Sequence, residues 1–320
     1  VEAVNQETSC KSIVSKTVKT KAFPILNITG KTKICEGSVL NLTANGAATY
    51  TWANQIKMDS LLSESNILMD SIFEDNNYVL RGTTNGCTSE IVVPVQKLNL
   101  PNVEITATDD TICYGETTIL SGTQGLAFYI WSSGSSKNQI TVKPNSTTWY
   151  YLTGKNVNLC EAKDSIEIYV NPKPNVYISG DMEACENSPA KITAKGAHIY
   201  KWDYAGDQTG STDSIVQPTI SQTETFTVTG TDTITLCSNT ASWQVRKNNI
   251  PTITLTAPDK VCEGEIASIT ATGANSYVWT KQGAPNDTLS VNNTLTDTPN
   301  GTSITYNVSG SSNNCVADTS

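Results

Sequence analysis

The residues in this chain best placed to do chemistry are its nine cysteines, and their spacing indicates which chemistry. Cys10, Cys87, Cys160 and Cys237 are followed 25 or 26 residues later by Cys35, Cys113, Cys185 and Cys262, and the series closes at Cys315. No Cys-x-x-Cys occurs, so paired cross-links are favoured over a zinc site or a reactive thiol. An interval that recurs four times marks one structural unit copied in tandem.

Other residues keep the same beat. A proline opens each unit at Pro24, Pro101, Pro174 and Pro251, and a glycine follows the opening cysteine at Gly46, Gly125, Gly196 and Gly273. Next comes Tyr-x-Trp at Tyr50/Trp52, Tyr129/Trp131, Tyr200/Trp202 and Tyr277/Trp279. An aromatic-x-aliphatic-x-Gly run ends at Gly82, Gly154, Gly230 and Gly310, shortly before the closing cysteine. The expected boundaries are therefore 24–100, 101–173, 174–250 and 251–320, the last lacking its final strand. Residues 1–23 read as the C-terminal end of a preceding repeat. Both ends look cut, as in an internal piece of a much longer protein.

A unit of about 75 residues has a thin core and needs a covalent staple. Paired cysteines at this density imply an oxidising compartment, hence export. The net charge of −9, with 16% charged residues, leaves no electrostatic footprint for nucleic acid or anionic lipid. No apolar run is long enough to span a bilayer, so no membrane insertion is expected of this segment.

Short alternating runs rich in Val, Ile, Thr and Tyr, broken by Gly, Asn, Asp and Pro, predict strands. In 101–173 six are predicted: Val103–Ala107, Thr117–Leu120, Phe128–Trp131, Gln139–Val142, Trp149–Leu152 and Ile166–Val170. Even spacing of this kind predicts an antiparallel β-sandwich. Tyr-x-Trp places both rings on one face of the third strand, directed into the core. The fold class expected is all-β: tandem sandwiches in an extended rod, joined by short proline linkers, with one disulfide per repeat.

Two cysteine pairings fit the arithmetic. Within-unit bridges would be Cys35–Cys87, Cys113–Cys160, Cys185–Cys237 and Cys262–Cys315, with Cys10 bonded to an upstream cysteine. Bridges between neighbours would be Cys87–Cys113, Cys160–Cys185 and their kin. Geometry favours the first, because two strands laid end to end at ~3.3 Å per residue separate the neighbours by tens of ångströms, whereas a bridge needs Cα atoms within ~7 Å.

The search for a catalytic constellation is nearly empty. His198 is the only histidine, and other units carry Ala48, Ala127 and Asn275 in its place. Asp109-Asp110 and Asp203/Asp207 are weak calcium candidates, better read as turn formers. No P-loop or Gly-x-Ser-x-Gly appears. The expectation is no enzyme, no cofactor and no metal. Trp149 and Trp243 fall outside the repeating tryptophan position and are candidates for ligand contact.

One triplet stands out: Asp, then Ser or Thr, then an apolar residue. It places hydroxyls at Ser60, Ser71, Thr111, Ser165, Ser214, Thr233 and Thr288. The triplet resembles the O-glycosylation signal of Bacteroidota, which implies sugar on those hydroxyls. Turn chemistry, with Asp opening the turn, is the competing explanation. Asn-x-Ser/Thr triplets at Asn27, Asn41, Asn145, Asn286, Asn292, Asn300 and Asn307 are expected by chance in so Asn- and Thr-rich a chain.

Taken in order, Pro, Cys-x-Gly, Gly-Ala, Tyr-x-Trp, Tyr-x-Val-x-Gly and Asn-x-Cys resemble the Ig-like or PKD-like repeats of giant Bacteroidota surface proteins, the gliding-motility adhesins exported by the type IX system. Cys262-Glu263-Gly264, Gly273-Ala274, Tyr277-Val278-Trp279 and Tyr306-Asn307-Val308-Ser309-Gly310 carry the likeness best. Tyr114 after Cys113 and Asn187 after Glu186 depart from it. The resemblance implies an extracellular, cell-surface role: a structural segment giving length and stiffness to an adhesin or filament. Its partners would be copies of itself in a multi-stranded fibre, or a glycan or protein on another cell. A binding module acting through repeat loops, and the non-catalytic stalk of an exported enzyme, are the alternatives.

Overall fold

The structure, a computed structural model, describes residues 1–55, 60–205 and 212–320. Among them every regular element is a strand. The reason is local: alternating residues such as Leu40, Leu42 and Ala44 put their side chains on one face of Val39–Asn45, and all three are buried. The chain forms two compact units, one of residues 1–110 and 117–169, the other of 111–116 and 170–320.

In the first unit, Val39–Asn45 pairs antiparallel with Asn27–Thr29 and with Ile67–Ser71. The facing sheet runs in the order Lys33–Cys35, Cys87–Leu98, Asn76–Thr84, Thr49–Asn54, Leu61–Ser63. Leu40, Leu42 and Leu68 from one sheet meet Trp52, Tyr78, Leu80, Val93 and Val95 from the other. A second sandwich in this unit sets Ile105–Ala107, Thr118–Gly122 and Gln139–Val142 as one sheet. Its other sheet has Thr148–Lys155 between Phe128–Trp131 and Glu161–Asn171. The second unit repeats the plan with Tyr177–Gly180, Ile192–Lys195 and Ile215–Val216 against Glu183–Cys185, Ser238–Asn248, Glu224–Thr231 and Ile199–Asp203. Its last sandwich packs Ala271 and Leu295 on Trp279, Tyr306 and Val308.

The repeated motif has a physical reading. Trp52, Trp131, Trp202 and Trp279 are all buried, as expected of the inward face. The hydroxyls of Tyr50, Tyr200 and Tyr277 accept hydrogen bonds from the backbone N–H of Ala47, Ala197 and Ala274, at 2.8, 3.0 and 2.9 Å. The glycine before each alanine is crossed by the residue that directly follows the proline, ahead of the first strand. A Cβ at Gly46, Gly196 or Gly273 would be driven into the carbonyl of Ile25, Asn175 or Thr252, and each φ is positive, near +100°. Leu126 replaces the alanine in the second sandwich, and there Tyr129 donates instead to the Thr123 carbonyl at 2.8 Å.

The disulfides differ from the expectation. The bonds are Cys35–Cys160, Cys113–Cys237 and Cys185–Cys315, with Cα–Cα distances of 5.5, 5.6 and 5.5 Å. Neither Cys35–Cys87, Cys113–Cys160, Cys185–Cys237 and Cys262–Cys315 nor the neighbour pairing forms. The reason is strand direction. Lys33–Cys35 runs parallel to the end of Cys87–Leu98, with Cys35 opposite Leu98, while Cys87 opens that strand opposite Thr84. The two cysteines thus sit at opposite ends of one strand, roughly 36 Å apart at ~3.3 Å per residue. The six-strand reading missed a reversal. After Tyr-x-Trp the chain doubles back, through Leu61–Ser63 antiparallel to Thr49–Asn54, and through Ser135, whose carbonyl accepts the Trp131 N–H at 3.0 Å. One more reversal moves the closing cysteine to the other end. One disulfide per repeat therefore becomes one disulfide between the opening cysteine of one repeat and the closing cysteine of the next.

Candidate functional site

The strongest chemical feature is this overlapping set of bonds. In the first unit Cys160 is fully covered, and its turn is built by Asn156. The Asn156 Oδ1 accepts the N–H of Asn158 and of Cys160 at 3.0 and 3.1 Å, and its Nδ2 donates to the Asn99 carbonyl at 2.8 Å. The amide thereby ties the turn that carries the closing cysteine to the linker before Pro101. In the second unit Asn248, only 5% exposed, does the same by donating to the Asn313 carbonyl at 3.2 Å. The Asn248 carbonyl accepts the Glu186 N–H at 2.8 Å and lies 3.8 Å from Cys315 Sγ. Lys247 pairs with Glu186 at 2.9 Å, as Lys97 pairs with Glu36 at 3.5 Å. Asp232 builds the third turn, accepting the N–H of Ile234 and Thr235 at 2.8 and 2.9 Å. These donors hold its carboxyl below the usual aspartate range.

Covalently, the bonds make a short cut. From Cys35 the path crosses to Cys160, runs 25 residues to Cys185 and crosses to Cys315. Residues 36–159 and 186–314 lie off that path. Three thiols carry no bond: Cys10 and Cys262 are exposed and Cys87 is half-buried.

A second feature is an aromatic sheet face in the first unit. Phe128, Ile130, Trp149, Tyr151 and Tyr169 are each 50–55% exposed, and the Trp149 and Tyr151 rings stack with centroids 6.5 Å apart. Thr153 lies opposite Ile130, Ser165 opposite Tyr151 and Glu167 opposite Trp149. The positions matching Trp149 and Tyr151 elsewhere are Asn77/Val79, Thr225/Thr227 and Thr305/Asn307, so the face is confined to this sandwich. Sequence reasoning singled out Trp149 but missed Tyr151, Phe128 and Ile130. The signal was the unbroken run Trp149-Tyr150-Tyr151-Leu152, because a strand apolar on both faces must expose one of them. Trp243 belongs to packing: it lies against the core, and its indole N–H donates to the Asp181 carbonyl at 2.9 Å.

The remaining candidates are structural. His198 Nδ1 accepts the Thr233 N–H at 3.3 Å and lies 3.4 Å from Asp232 Oδ2, bracing the turn before Cys237. Asp109 is fixed through its backbone to Thr118, Asp203 ends a strand, and Asp207 lies outside the described residues. Among the described residues no group of three His, Cys, Asp or Glu could hold a metal, and no helix is long and apolar enough to cross a membrane. Of the Asp-Ser/Thr triplets, Ser71, Thr111, Ser165, Ser214, Thr233 and Thr288 are exposed and Ser60 is half-buried, while Asp59 lies outside the described residues. Asp70, Asp164 and Asp232 spend their carboxylates on Tyr78 and on backbone N–H groups.

Two antiparallel sheets, with the strand before the opening cysteine switching to run parallel beside the last strand, are the Ig arrangement. The chain is a tandem of Ig-like β-sandwiches. No family model and no curated protein matches it. Among solved structures it is similar to the fibronectin(III)-like modules of Clostridium thermocellum CbhA, with 14% identity over 46% of this chain and 95% of that one and a TM-score of 0.29. It is also similar to the N-terminal four Ig domains of Dscam1 isoform 6.9, with 9% identity, 92% and 97% coverage and a TM-score of 0.23. Against the N-terminal eight Ig domains of DSCAM isoform 1.30.30 the identity is 13% and the TM-score 0.29, over 94% of this chain and 48% of that one.

Proposed function

We propose that this chain is a structural segment of a very large extracellular adhesin or surface filament, and that its task is to resist extension. Its repeats are 24–100, 101–173, 174–250 and 251–320, with 1–23 closing an earlier one. The observation that carries the proposal is the succession of Cys35–Cys160 and Cys185–Cys315, which leaves 25 residues of extensible chain between residues 35 and 315. A sandwich unfolded under load inside such a loop releases no length to the filament. Three buried or half-buried disulfides fit an oxidising, extracellular setting. The likeness of the motifs to Bacteroidota surface repeats supports a role on the cell surface after type IX export. Sugars on the exposed triplet hydroxyls would guard strand edges against mispairing, and copies lying side by side would thicken the fibre.

Single-molecule pulling through handles at the two termini tests this. At ~3.5 Å per residue the reduced chain should extend about 900 Å further than the oxidised one. Equal extension of the two would refute it.

A second reading rests on the aromatic face alone: a binding module for glycan or protein, seated on Trp149 and Tyr151. Flat exposed rings beside Thr153, Ser165 and Glu167 suit the apolar face and hydroxyl edge of a sugar.

A further inference from the structure

Cys113–Cys237 has no part in the short cut from Cys35 to Cys315, which crosses only Cys35–Cys160 and Cys185–Cys315. Those two bonds enclose residues 36–159 and 186–314 and leave 161–184 outside any loop. Cys113–Cys237 encloses 114–236 and so covers that gap. Every peptide bond between Cys35 and Cys315 is therefore spanned by at least one disulfide, and residues 114–159 and 186–236 lie within two.

The linkers are where this coverage matters. Residues 99–104, 172–176 and 249–253 lie between strands, and Asn99, Leu100, Pro172, Lys173, Asn249 and Ile250 are exposed. Exposed segments outside the sheets are the preferred sites of proteolytic nicking. A cut within a sandwich leaves both parts sharing one core. A cut in a linker leaves whole cores on either side, since the buried clusters are separate, and sulfur alone then carries the covalent tie. Bonds within each repeat would have left all three linkers uncovered. The staggered bonds cover each one: 99–104 lies inside Cys35–Cys160, 172–176 inside Cys113–Cys237 and 249–253 inside Cys185–Cys315. Each bond also has one fully covered sulfur, at Cys160, Cys237 or Cys315, which limits attack by an external thiol.

We propose that the staggered bonds make the segment tolerant of cleavage: no single proteolytic cut between residues 35 and 315 divides it. Hydrolysis of a peptide bond consumes one water and leaves every S–S bond in place, so the two new ends stay joined through the disulfide that spans them. Two cuts release the piece between them only when that piece holds no bonded cysteine. This inference does not rest on the tensile role proposed above, which makes no use of Cys113–Cys237.

The test uses the full oxidised chain with its free thiols alkylated. Cyanogen bromide cuts after Met58, Met69 and Met182, the only methionines, in acid that suppresses disulfide exchange. The product should keep residues 1–58, 70–182 and 183–320 in one species, lose only 59–69, and come apart into those three fragments on reduction. C113S/C237S should release 183–320 without reductant. In the folded protein, a site-specific protease sequence inserted after Lys173 should, once cut, leave one band on a non-reducing denaturing gel and two bands with reductant. Release of 183–320 from the unreduced wild type, separation at the cut linker without reductant, or a joined 183–320 in C113S/C237S would overturn the proposal.

Discussion

Cys35 and Cys160 are 125 residues apart in the chain, yet their Cα atoms lie 5.5 Å apart. The bond is possible because Cys35 is carried to the far end of its own sandwich by pairing parallel beside Leu98, while Cys160 directly precedes the last strand of the following one, Glu161–Asn171. Each core in the first unit is thus tied to the other by sulfur as well as by the linker at Asn99–Pro101.

Removing that bond is the first prediction. Closing a loop of this length contributes about 5 kcal/mol in the chain-entropy model, and measured losses run about 2–5 kcal/mol. C35S/C160S should lower the urea midpoint of the first unit by a corresponding amount and leave Cys185–Cys315 intact. Non-reducing peptide maps of the wild type should show Cys35 joined to Cys160. A Cys35–Cys87 peptide in its place would refute the topology.

The glycines make a sharper test of the motif. At Gly46 a methyl group meets the Ile25 backbone, and φ is +104°. At Gly86 φ is +81° but the space is open. Gly86→Ala should cost about 1 kcal/mol, the ordinary penalty of left-handed backbone. Gly46→Ala should cost about 3–4 kcal/mol or prevent folding, because backbone rather than side chain must move. Equal urea midpoints for the two variants would show that the crossing at Ile25 is not tight.

Much of the fold was legible because period-two burial is a local signal. Trp52, Trp131, Trp202 and Trp279 each fall where Tyr-x-Trp placed them, and the strands at Phe128–Trp131 and Gln139–Val142 match residue for residue. The disulfides were not legible, for a reason equally local. Pairing turned on the direction of the last strand, and that turned on Leu61–Ser63, three residues of which none is buried. Thr111–Cys113 was missed for the same reason, since three residues carry no periodicity. The glycines were visible as markers, but the carbonyls that exclude a side chain there belong to Ile25, Asn175 and Thr252, each 21 residues earlier in sequence. Trp149 stood out by breaking the beat, whereas Tyr151 was hidden inside a continuous aromatic run.

Asp297 gives the pH dependence. Its Oδ2 accepts the Lys281 ammonium at 2.7 Å and the Tyr306 hydroxyl at 2.7 Å. Those two hydrogen bonds hold the carboxyl below the usual aspartate range, and burial with the same contact pushes Tyr306 up to about 12. For Asp297 the lowered folded value means that its stabilisation is complete above the ordinary aspartate range and is lost as pH falls through the lowered value. For Tyr306 the raised value means that stabilisation is complete below the ordinary tyrosine range and is lost as pH climbs through about 12. Asp297→Asn should therefore flatten the acid limb of a thermal-stability profile below about pH 4, while Tyr306→Phe flattens the alkaline limb. An acid limb unchanged by Asp297→Asn would mean that the pair carries no linkage.

The aromatic face separates the two functional readings. Trp149 and Tyr151 are half-exposed on the outer face of their sheet, so Trp149→Ala/Tyr151→Ala should change stability by less than about 1 kcal/mol. If the face binds sugar, the double variant should lose most of the affinity for whichever polysaccharide the wild type retains in affinity electrophoresis, because stacking on two rings supplies the bulk of such contact energy. Thr225 and Thr227, at the matching positions of the second unit, provide the control: alanine there should leave retention unchanged. A wild type that no neutral, acidic or amino-sugar polymer retards would leave tension resistance as the surviving role for these sandwiches, since the pulling response depends on sulfur bonds that neither substitution touches.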